Sequence, residues 1–305
     1  MRVLDAVGHT PLVELRRVVP EGAARVVIKL ESSNPTGSMK DRVARAMVRA
    51  AIADGRLEPG GAIVEYTGGT TGVSLALIAA ALGYRAHFVS SDAFSDEKLR
   101  TMRAYGAELT EIASDGGQIN KALIQAMMAK AKDLAARPGH WFCNQLDNAD
   151  GEAGYHALGE EMWEQSGGVD ALVQSVGTAH SIHGTAHALR RRNSKLHVLA
   201  VEPAESPVLG GGAPGSHKIE GIGIGFAPPL WRRHEVDGIV GVSTDDANAM
   251  ARRLAREEAI FAGTSTGANV VAAIELAKRL GVGKTVGTIA VDSGLRYLST
   301  DAYRA

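Results

Sequence analysis

The run Asn34-Pro35-Thr36-Gly37-Ser38-Met39-Lys40-Asp41-Arg42 puts a lysine where a lysine does little for structure. Pro35 and Gly37 mark a turn, Thr36 or Ser38 can cap, and Met39, Val43, Ala46, Met47 and Ala50 recur at helical spacing up to Gly55. Lys40 is therefore expected in the first turn of a helix. There the unpaired N–H groups and the macrodipole disfavour a cation by roughly 0.3–1 kcal/mol, and the same field, with desolvation added, lowers an amine's pKa. A lysine kept partly neutral suits Schiff-base formation with a carbonyl compound. The competing reading is a solvated lysine at a helix start, so the rest of the chain must supply elements that bind a ligand.

Two such elements are legible. Ala62-Ile63-Val64-Glu65-Tyr66 reads as a short buried strand, followed by Thr67-Gly68-Gly69-Thr70-Thr71-Gly72 and an apolar helix from Val73 to Leu82 stopped by Gly83. Ala171 to Val176 is a second strand, Gly177-Thr178-Ala179-His180-Ser181 its loop, and His183 to Arg192 the helix after it. A strand, a glycine loop and a helix N-terminus together bind anions through backbone N–H groups. Steric demand at a tight turn would also select glycine. Two such units in one chain leave one loop for a phosphate and the other for a substrate carboxylate.

Further segments extend the pattern: Gly8-His9-Thr10-Pro11-Leu12, Asn144-Gln145, Glu202-Pro203, Gly221-Ile222-Gly223-Ile224-Gly225-Phe226, Ala262 to Ala268, Ser293-Gly294 and Tyr297 to Thr300. In this order and spacing the chain resembles the cysteine synthase/cystathionine β-synthase family of fold-type II pyridoxal-phosphate enzymes, closest in outline to O-acetylserine sulfhydrylase. The resemblance implies that Lys40 carries pyridoxal 5'-phosphate and, once released, takes the Cα proton. It implies that Gly177, Thr178, Ala179, His180 and Ser181 hold the cofactor phosphate, that Ser293 meets the pyridine nitrogen and that Thr70 meets the phenolic oxygen. Thr67, Gly68, Thr71 and Gln145 are the implied holders of the substrate α-carboxylate, with the backbone around Gly221 closing the site. The implied reaction is β-replacement on O-acetyl-L-serine or a related β-substituted alanine, giving L-cysteine with sulfide through α-aminoacrylate.

The chain departs from the family pattern at two loops. Gly68 and Thr70 stand where sulfhydrylases usually carry serine and asparagine, and Ala179-His180-Ser181 stands where Gly-Gly-Thr is usual. Threonine donates one hydrogen bond but presents no amide oxygen. A phosphate loop that binds through backbone N–H groups tolerates its changes if the dihedrals are kept. Serine-dependent cystathionine synthesis, β-replacement by an amine and serine dehydration are the alternatives within the family, and a non-catalytic cofactor-binding paralogue is the alternative of another class. The presence of both Lys40 and Ser293 argues against the last. Neither glycine loop spells G-x-G-x-x-G with an acidic residue at the right offset, which disfavours a nicotinamide enzyme.

Composition points to a cytoplasmic enzyme. The 305 residues are 45% hydrophobic and 22% charged, enough to bury about two domain cores. A net charge of −1 gives no electrostatic case for nucleic acid or a membrane surface. The start, Met1-Arg2-Val3-Leu4-Asp5, lacks signal-peptide character. The single cysteine, Cys143, precludes an internal disulfide and reads as a buried small hydrophobe. His180, His183 and His187 have the spacing of one helical face, but no acidic residue or cysteine lies near them in sequence and no metal is assigned. Arg190-Arg191-Arg192 reads as a solvated helix C-terminus.

To position these groups the chain alternates strand and helix. Further strands are expected at Ala86 to Ser90, Ala107 to Ala113, Trp141 to Asn144, Leu196 to Val201, Ile239 to Ser243 and Thr285 to Val291. Further helices are expected at Ser95 to Tyr105, Ile119 to Ala136, Gly151 to Gln165, Asp245 to Ala259 and Thr266 to Leu280. Such alternation predicts α/β architecture with mainly parallel sheets covered by helices on both faces. The resemblance refines this to two three-layer αβα domains of the fold-type II, tryptophan synthase β-like kind, and to a homodimer. Residues 1–12 and 35–147 would form an N-terminal domain with the cofactor lysine and the carboxylate loop. Residues 13–34 and 148–305 would form a C-terminal domain with the phosphate loop and the pyridine contact.

Overall fold

The computed structural model describes residues 2–117 and 121–304. In chain order its strands are β1 (Leu12–Leu15), β2 (Arg25–Leu30), β3 (Ala62–Tyr66), β4 (Arg85–Ser91), β5 (Glu108–Ile112), β6 (His140–Phe142), β7 (Ala171–Ser175), β8 (His197–Pro203), β9 (Gly238–Val242) and β10 (Thr285–Ala290). Its α-helices are α1 (Lys40–Ala53), α2 (Thr70–Leu82), α3 (Asp96–Ala104), α4 (Lys121–Ala135), α5 (His156–Ser166), α6 (His180–Arg192), α7 (Thr244–Glu257) and α8 (Thr264–Leu280). Two compact units result, Met1–Val7 with Lys40–Gly154 and Gly8–Met39 with Tyr155–Ala305.

The first unit has an all-parallel sheet in the order β5-β4-β3-β6. Val64, Tyr66 and Val89 form a core with Leu123, Met127, Ala131 and Leu134 of α4. Successive strand residues alternate faces, so Ile63 and Glu65 turn to the other face of the sheet. Helix α2 packs on β3 and β4, and α1 packs on α2. Residues of α2 from Val73 to Ala79 are all buried, so this helix is apolar all round rather than amphipathic.

The second unit has a six-stranded sheet in the order β1-β2-β10-β7-β8-β9, parallel except for the antiparallel β1–β2 pair. Val26, Ile28, Ala171, Val173, Leu199, Val201, Val286 and Ala290 face a core completed by α7 and α8. Lys29 of β2 is fully buried yet paired, its Nζ lying 2.8 Å from Glu161 Oε2 and 2.9 Å from Gln165 Oε1 of α5. An unpaired buried ammonium would be far costlier.

Element identities follow the expected alternation, and the differences sit at helix starts. Helix α2 begins at Thr70 rather than Val73, and α6 at His180 rather than His183. In both, the polar first turn lacks the apolar periodicity that marks the rest. The predicted helix from Ile119 starts outside the described residues, and its remainder is α4. Ala149–Tyr155 is a 3-10 segment leading into α5, where one continuous α-helix from Gly151 is predicted. Gly154 explains part of this: a Cβ there would lie 2.5 Å from the Arg42 carbonyl oxygen, an approach only glycine permits. Among the described residues, no helix is long and apolar enough to cross a membrane.

Candidate active site

Parallel strands deliver their following loops to one edge of a sheet, which is where α/β proteins bind ligands. In the first unit β3, β4 and β6 are neighbours. Their loops carry Thr67 to Gly69, Asp92 to Ser95 and Cys143 to Asn148, and the sequence-predicted residues meet among them. Thr67 Oγ1 accepts the N–H groups of Gly69 and Gly72, both at 3.2 Å, bracing the loop at the start of α2. Gly72 admits this contact because a Cβ would fall 2.5 Å from Thr67 Cγ2 and from Met102 Sδ. Thr71 donates its hydroxyl to Gln145 Oε1 at 2.7 Å, joining two predicted carboxylate ligands from distant segments. No acidic residue stands in the first turn of α2, so its positive end is left uncompensated.

Sequence reasoning missed the residue that orients Gln145. Glu65 is fully buried in β3; its Oε2 accepts the Gln145 N–H at 2.9 Å and its Oε1 the Tyr66 N–H at 3.0 Å. Burial pushes this carboxyl up to about 8, partly offset by the hydrogen bonds from Gln145, Tyr66 and Cys143. A glutamate inside an otherwise apolar strand was the available signal. Asn144 sits in the left-handed region at φ 49, and its carbonyl accepts the N–H groups of Asp147 and Asn148 at 3.0 Å. This tight turn presents Gln145.

Lys40 is the first residue of α1, as expected from its turn. The next residue, Asp41, is fully buried and accepts the Ser74 hydroxyl at 2.6 Å. That bond ties the first turn of α1 to α2 one turn beyond Thr70 and Thr71. Thr70 is half-buried at the head of α2. Cys143 is buried, and burial together with the Glu65 carboxyl pushes its thiol well above the usual range, which matches a packing role.

In the second unit, β7 and β10 are parallel neighbours, so the loop from Gly177 to Ala179 and the residues after Ala290 leave the sheet at the same edge. Ala179 adopts φ 72, the left-handed conformation usually reserved for glycine, and caps α6. The left-handed dihedral is thus held although the residue is alanine. A Cβ on Gly177 would lie 2.5 Å from the Gly221 carbonyl oxygen, so the loop after β7 and the Gly221 to Gly225 loop touch through backbone alone. Gly221, Gly223 and Gly225 are all left-handed, at φ 85, 62 and 84. Thr178 Oγ1 and His180 Nδ1 are 2.7 Å apart, and Ser181 Oγ accepts from Gln174 Nε2 at 3.3 Å. Asn269 holds Gln174 in turn, donating to its Oε1 at 3.1 Å. Ser293 is half-buried after β10, and its Oγ accepts the Leu295 N–H at 3.3 Å, which leaves the hydroxyl proton available to a ligand acceptor.

The three histidines divide between two tasks. His180 pairs with Thr178 in the loop after β7, whereas His183 Nδ1 and His187 Nε2 lie 3.0 and 2.8 Å from Glu235 Oε2. The Glu235 carboxylate also accepts from Arg232 Nε at 2.7 Å, binding the 231–236 segment to α6.

This donor set fits a phosphorylated pyridine aldehyde. Helix α6 offers a positive end with no acidic residue in its first turn, a left-handed residue that turns backbone N–H groups inward, and flanking hydroxyls. Ser293 of the same unit offers a neutral hydroxyl.

Comparison with known proteins agrees. The model of the family described as "Pyridoxal-phosphate dependent enzyme" matches residues 3–292. Cysteine synthase of Staphylococcus aureus (strain N315) is 42% identical over 304 residues, covering 99% of this chain and 96% of the relative. Probable cysteine synthase of Bacillus subtilis (strain 168) is 42% identical over 305 residues, covering 98% and 96%. Among solved structures, cysteine synthase from Entamoeba histolytica superposes with a TM-score of 0.92 at 38% identity, covering 100% of this chain and 90% of that one. Matched over residues 3–292 and alike to these relatives over nearly its whole length, the chain belongs to the pyridoxal-phosphate dependent enzymes.

Proposed function

We propose that the protein makes L-cysteine by β-replacement on O-acetyl-L-serine or a related β-substituted alanine, with sulfide as the simplest nucleophile. The observation that carries this reading is the Thr71–Gln145 pair at the head of α2, a carboxylate-binding arrangement in a chain whose near full-length relatives are cysteine synthases.

Bound pyridoxal 5'-phosphate supplies the electron sink that lets an amino acid shed its α-proton and β-substituent. The chain's residues do the rest. Gly177, Thr178, Ala179, His180 and Ser181 would hold the phosphate at the positive end of α6. Ser293 would donate to the pyridine nitrogen without protonating it, and Thr70 would meet the phenolic oxygen. Lys40 would hold the cofactor through Nζ and then take the substrate's α-proton at that atom. Thr67, Gly68, Thr71 and Gln145 would bind and orient the α-carboxylate, and the Gly221 to Gly225 loop would close and exclude water.

Purified protein incubated with O-acetylserine and sulfide is expected to release cysteine and acetate. Borohydride reduction followed by peptide mass spectrometry is expected to place the cofactor on Lys40, and Lys40→Ala is expected to fold but lose turnover. Label on a different lysine would refute the assignment. We further infer a homodimer acting in the cytoplasm; light scattering that gave only monomer over a wide concentration range would exclude the dimer.

A further inference from the structure

The turn between β4 and α3 carries Phe94, an aromatic residue to which none of the roles above gives a part. The turn is braced at three points. The Phe94 N–H donates to Ser91 O at 3.2 Å, Ser91 Oγ accepts the Ala93 N–H at 3.2 Å, and Asp92 Oδ1 accepts the Ser114 N–H at 2.7 Å. A Cβ built on Gly68 would lie 2.0 Å from Phe94 Cδ1, 2.1 Å from Cε1 and 2.3 Å from Cγ. One flank of the ring therefore rests directly on the Gly68 Cα. The ring is half-buried and also packs against the core formed by Val64, Tyr66 and α4. Gly68 is not among the residues with positive φ, so its missing side chain makes room for the ring and serves no backbone requirement. Parallel β3 and β4 explain the meeting, since both loops leave the same edge of the sheet.

On the reading of Thr67 to Thr71 as the α-carboxylate loop, we propose that Phe94 is a specificity-determining residue of the amino-acid site. Its ring takes the volume of a side chain at 68 and walls one flank of the loop. The loop is then left to bind the carboxylate through backbone N–H groups, Thr67, Thr71 and Gln145, with water kept from that flank. An apolar wall strengthens hydrogen bonds beside it and sets an upper limit on the substrate's β-substituent, one that the O-acetyl group of the proposed substrate still meets. Shortening residue 94 opens a volume of up to a benzene ring for longer side chains.

The test titrates the cofactor-loaded protein with L-alanine and L-homophenylalanine, whose side chain is longer than that of O-acetylserine, and reads dissociation constants from the cofactor's absorption. Relative to wild type, Phe94→Ala is expected to shift the affinity ratio at least fivefold toward homophenylalanine, and Phe94→Leu, which keeps most of the packing, about twofold. Gly68→Ser alone is expected to weaken alanine binding at least tenfold, and Phe94→Ala in the same chain to restore it to within about threefold of wild type. An unchanged ratio in both Phe94 variants, with no rescue of Gly68→Ser, would overturn the role of Phe94 while leaving cysteine formation standing. Wild type that makes cysteine from neither O-acetylserine nor its analogues and responds spectrally to no α-amino acid would overturn both readings.

Discussion

The fully buried Glu65 carboxyl accepts the Gln145 main-chain N–H at 2.9 Å, while the Gln145 side chain accepts from Thr71 at 2.7 Å. A buried acid thus stands one residue behind a proposed substrate ligand. Its pKa is raised to about 8 in the folded chain against about 4.5 unfolded. Between those values the native state holds a proton that the unfolded state has lost. Stability is therefore expected to fall as pH rises through this window, by at most about 1.4 kcal/mol per pH unit from this group, and to level off above pH 8. Urea unfolding at pH 5, 6.5 and 8 should reveal the slope in wild type and a shallower one in Glu65→Gln, which mimics the protonated acid. Identical slopes in the two proteins would show that Glu65 titrates normally.

Thr71→Val keeps the volume of residue 71 but removes the donor to Gln145 Oε1. A lost hydrogen bond of this kind is worth about 0.5–1.5 kcal/mol net, a factor of a few to about tenfold. The loss is expected in the KM for the amino-acid substrate with kcat changed much less, because the contact serves binding of the carboxylate throughout the reaction. A variant with normal KM and depressed kcat would place Thr71 elsewhere in the cycle.

Ala179 holds a left-handed conformation at φ 72 while almost fully buried. Glycine adopts that conformation freely and a β-branched residue scarcely at all. Ala179→Gly is expected to stay within about 1 kcal/mol of wild type, since relief of strain is set against the lost methyl burial and greater chain entropy. Ala179→Val is expected to cost more than that and to weaken pyridoxal-phosphate binding to the cofactor-free protein by tenfold or more. Equal cofactor affinity in the two variants would mean that the loop does not depend on this dihedral.

Much of this architecture was legible in the residues. Ala62 to Tyr66 and Ala171 to Ser175 are fully buried parallel strands, and short, mostly apolar runs leading into glycine loops announce them. The starts of α2 and α6 were not legible, because Thr70-Thr71-Gly72 and His180-Ser181 belong to the helices yet have the polarity of loops. The antiparallel β1–β2 pair was not legible, since period-two alternation carries no strand order; the resemblance implied only that residues 13–34 join the C-terminal domain. Gln145 was identified by its motif, but Glu65 and Phe94 were not. Each acts through a contact set by adjacent parallel strands, 80 residues apart for Glu65 and Gln145, and no local spacing encodes such a contact.

Cys143 is the only cysteine of the chain and is 1% exposed, with Sγ 3.7 Å from Met47 Sδ. A thiol attacks as thiolate, and burial beside Glu65 holds Cys143 protonated. Ellman's reagent at pH 8 is expected to find no reactive thiol in the folded protein and one per chain in guanidinium. Rapid reaction of the native protein would contradict the buried environment.

Thr70 and Gly68 both differ from the usual sulfhydrylase loop, and the structure separates them. Thr70 opens α2 half-buried, and Thr70→Asn replaces its hydroxyl with an amide that adds a second hydrogen-bonding atom at the proposed phenolic-oxygen contact. One added hydrogen bond of about 0.5–1.5 kcal/mol corresponds to a gain of a few-fold to about tenfold in turnover of O-acetylserine with sulfide. Gly68→Ser cannot help in the same way, because its Cβ would enter the Phe94 ring. The single Thr70→Asn variant is therefore expected to outperform both wild type and the Thr70→Asn, Gly68→Ser double variant in steady-state kinetics. If the double variant proved the best of the three, Phe94 would have to swing aside without cost, and Gly68 would owe its identity to something other than the ring.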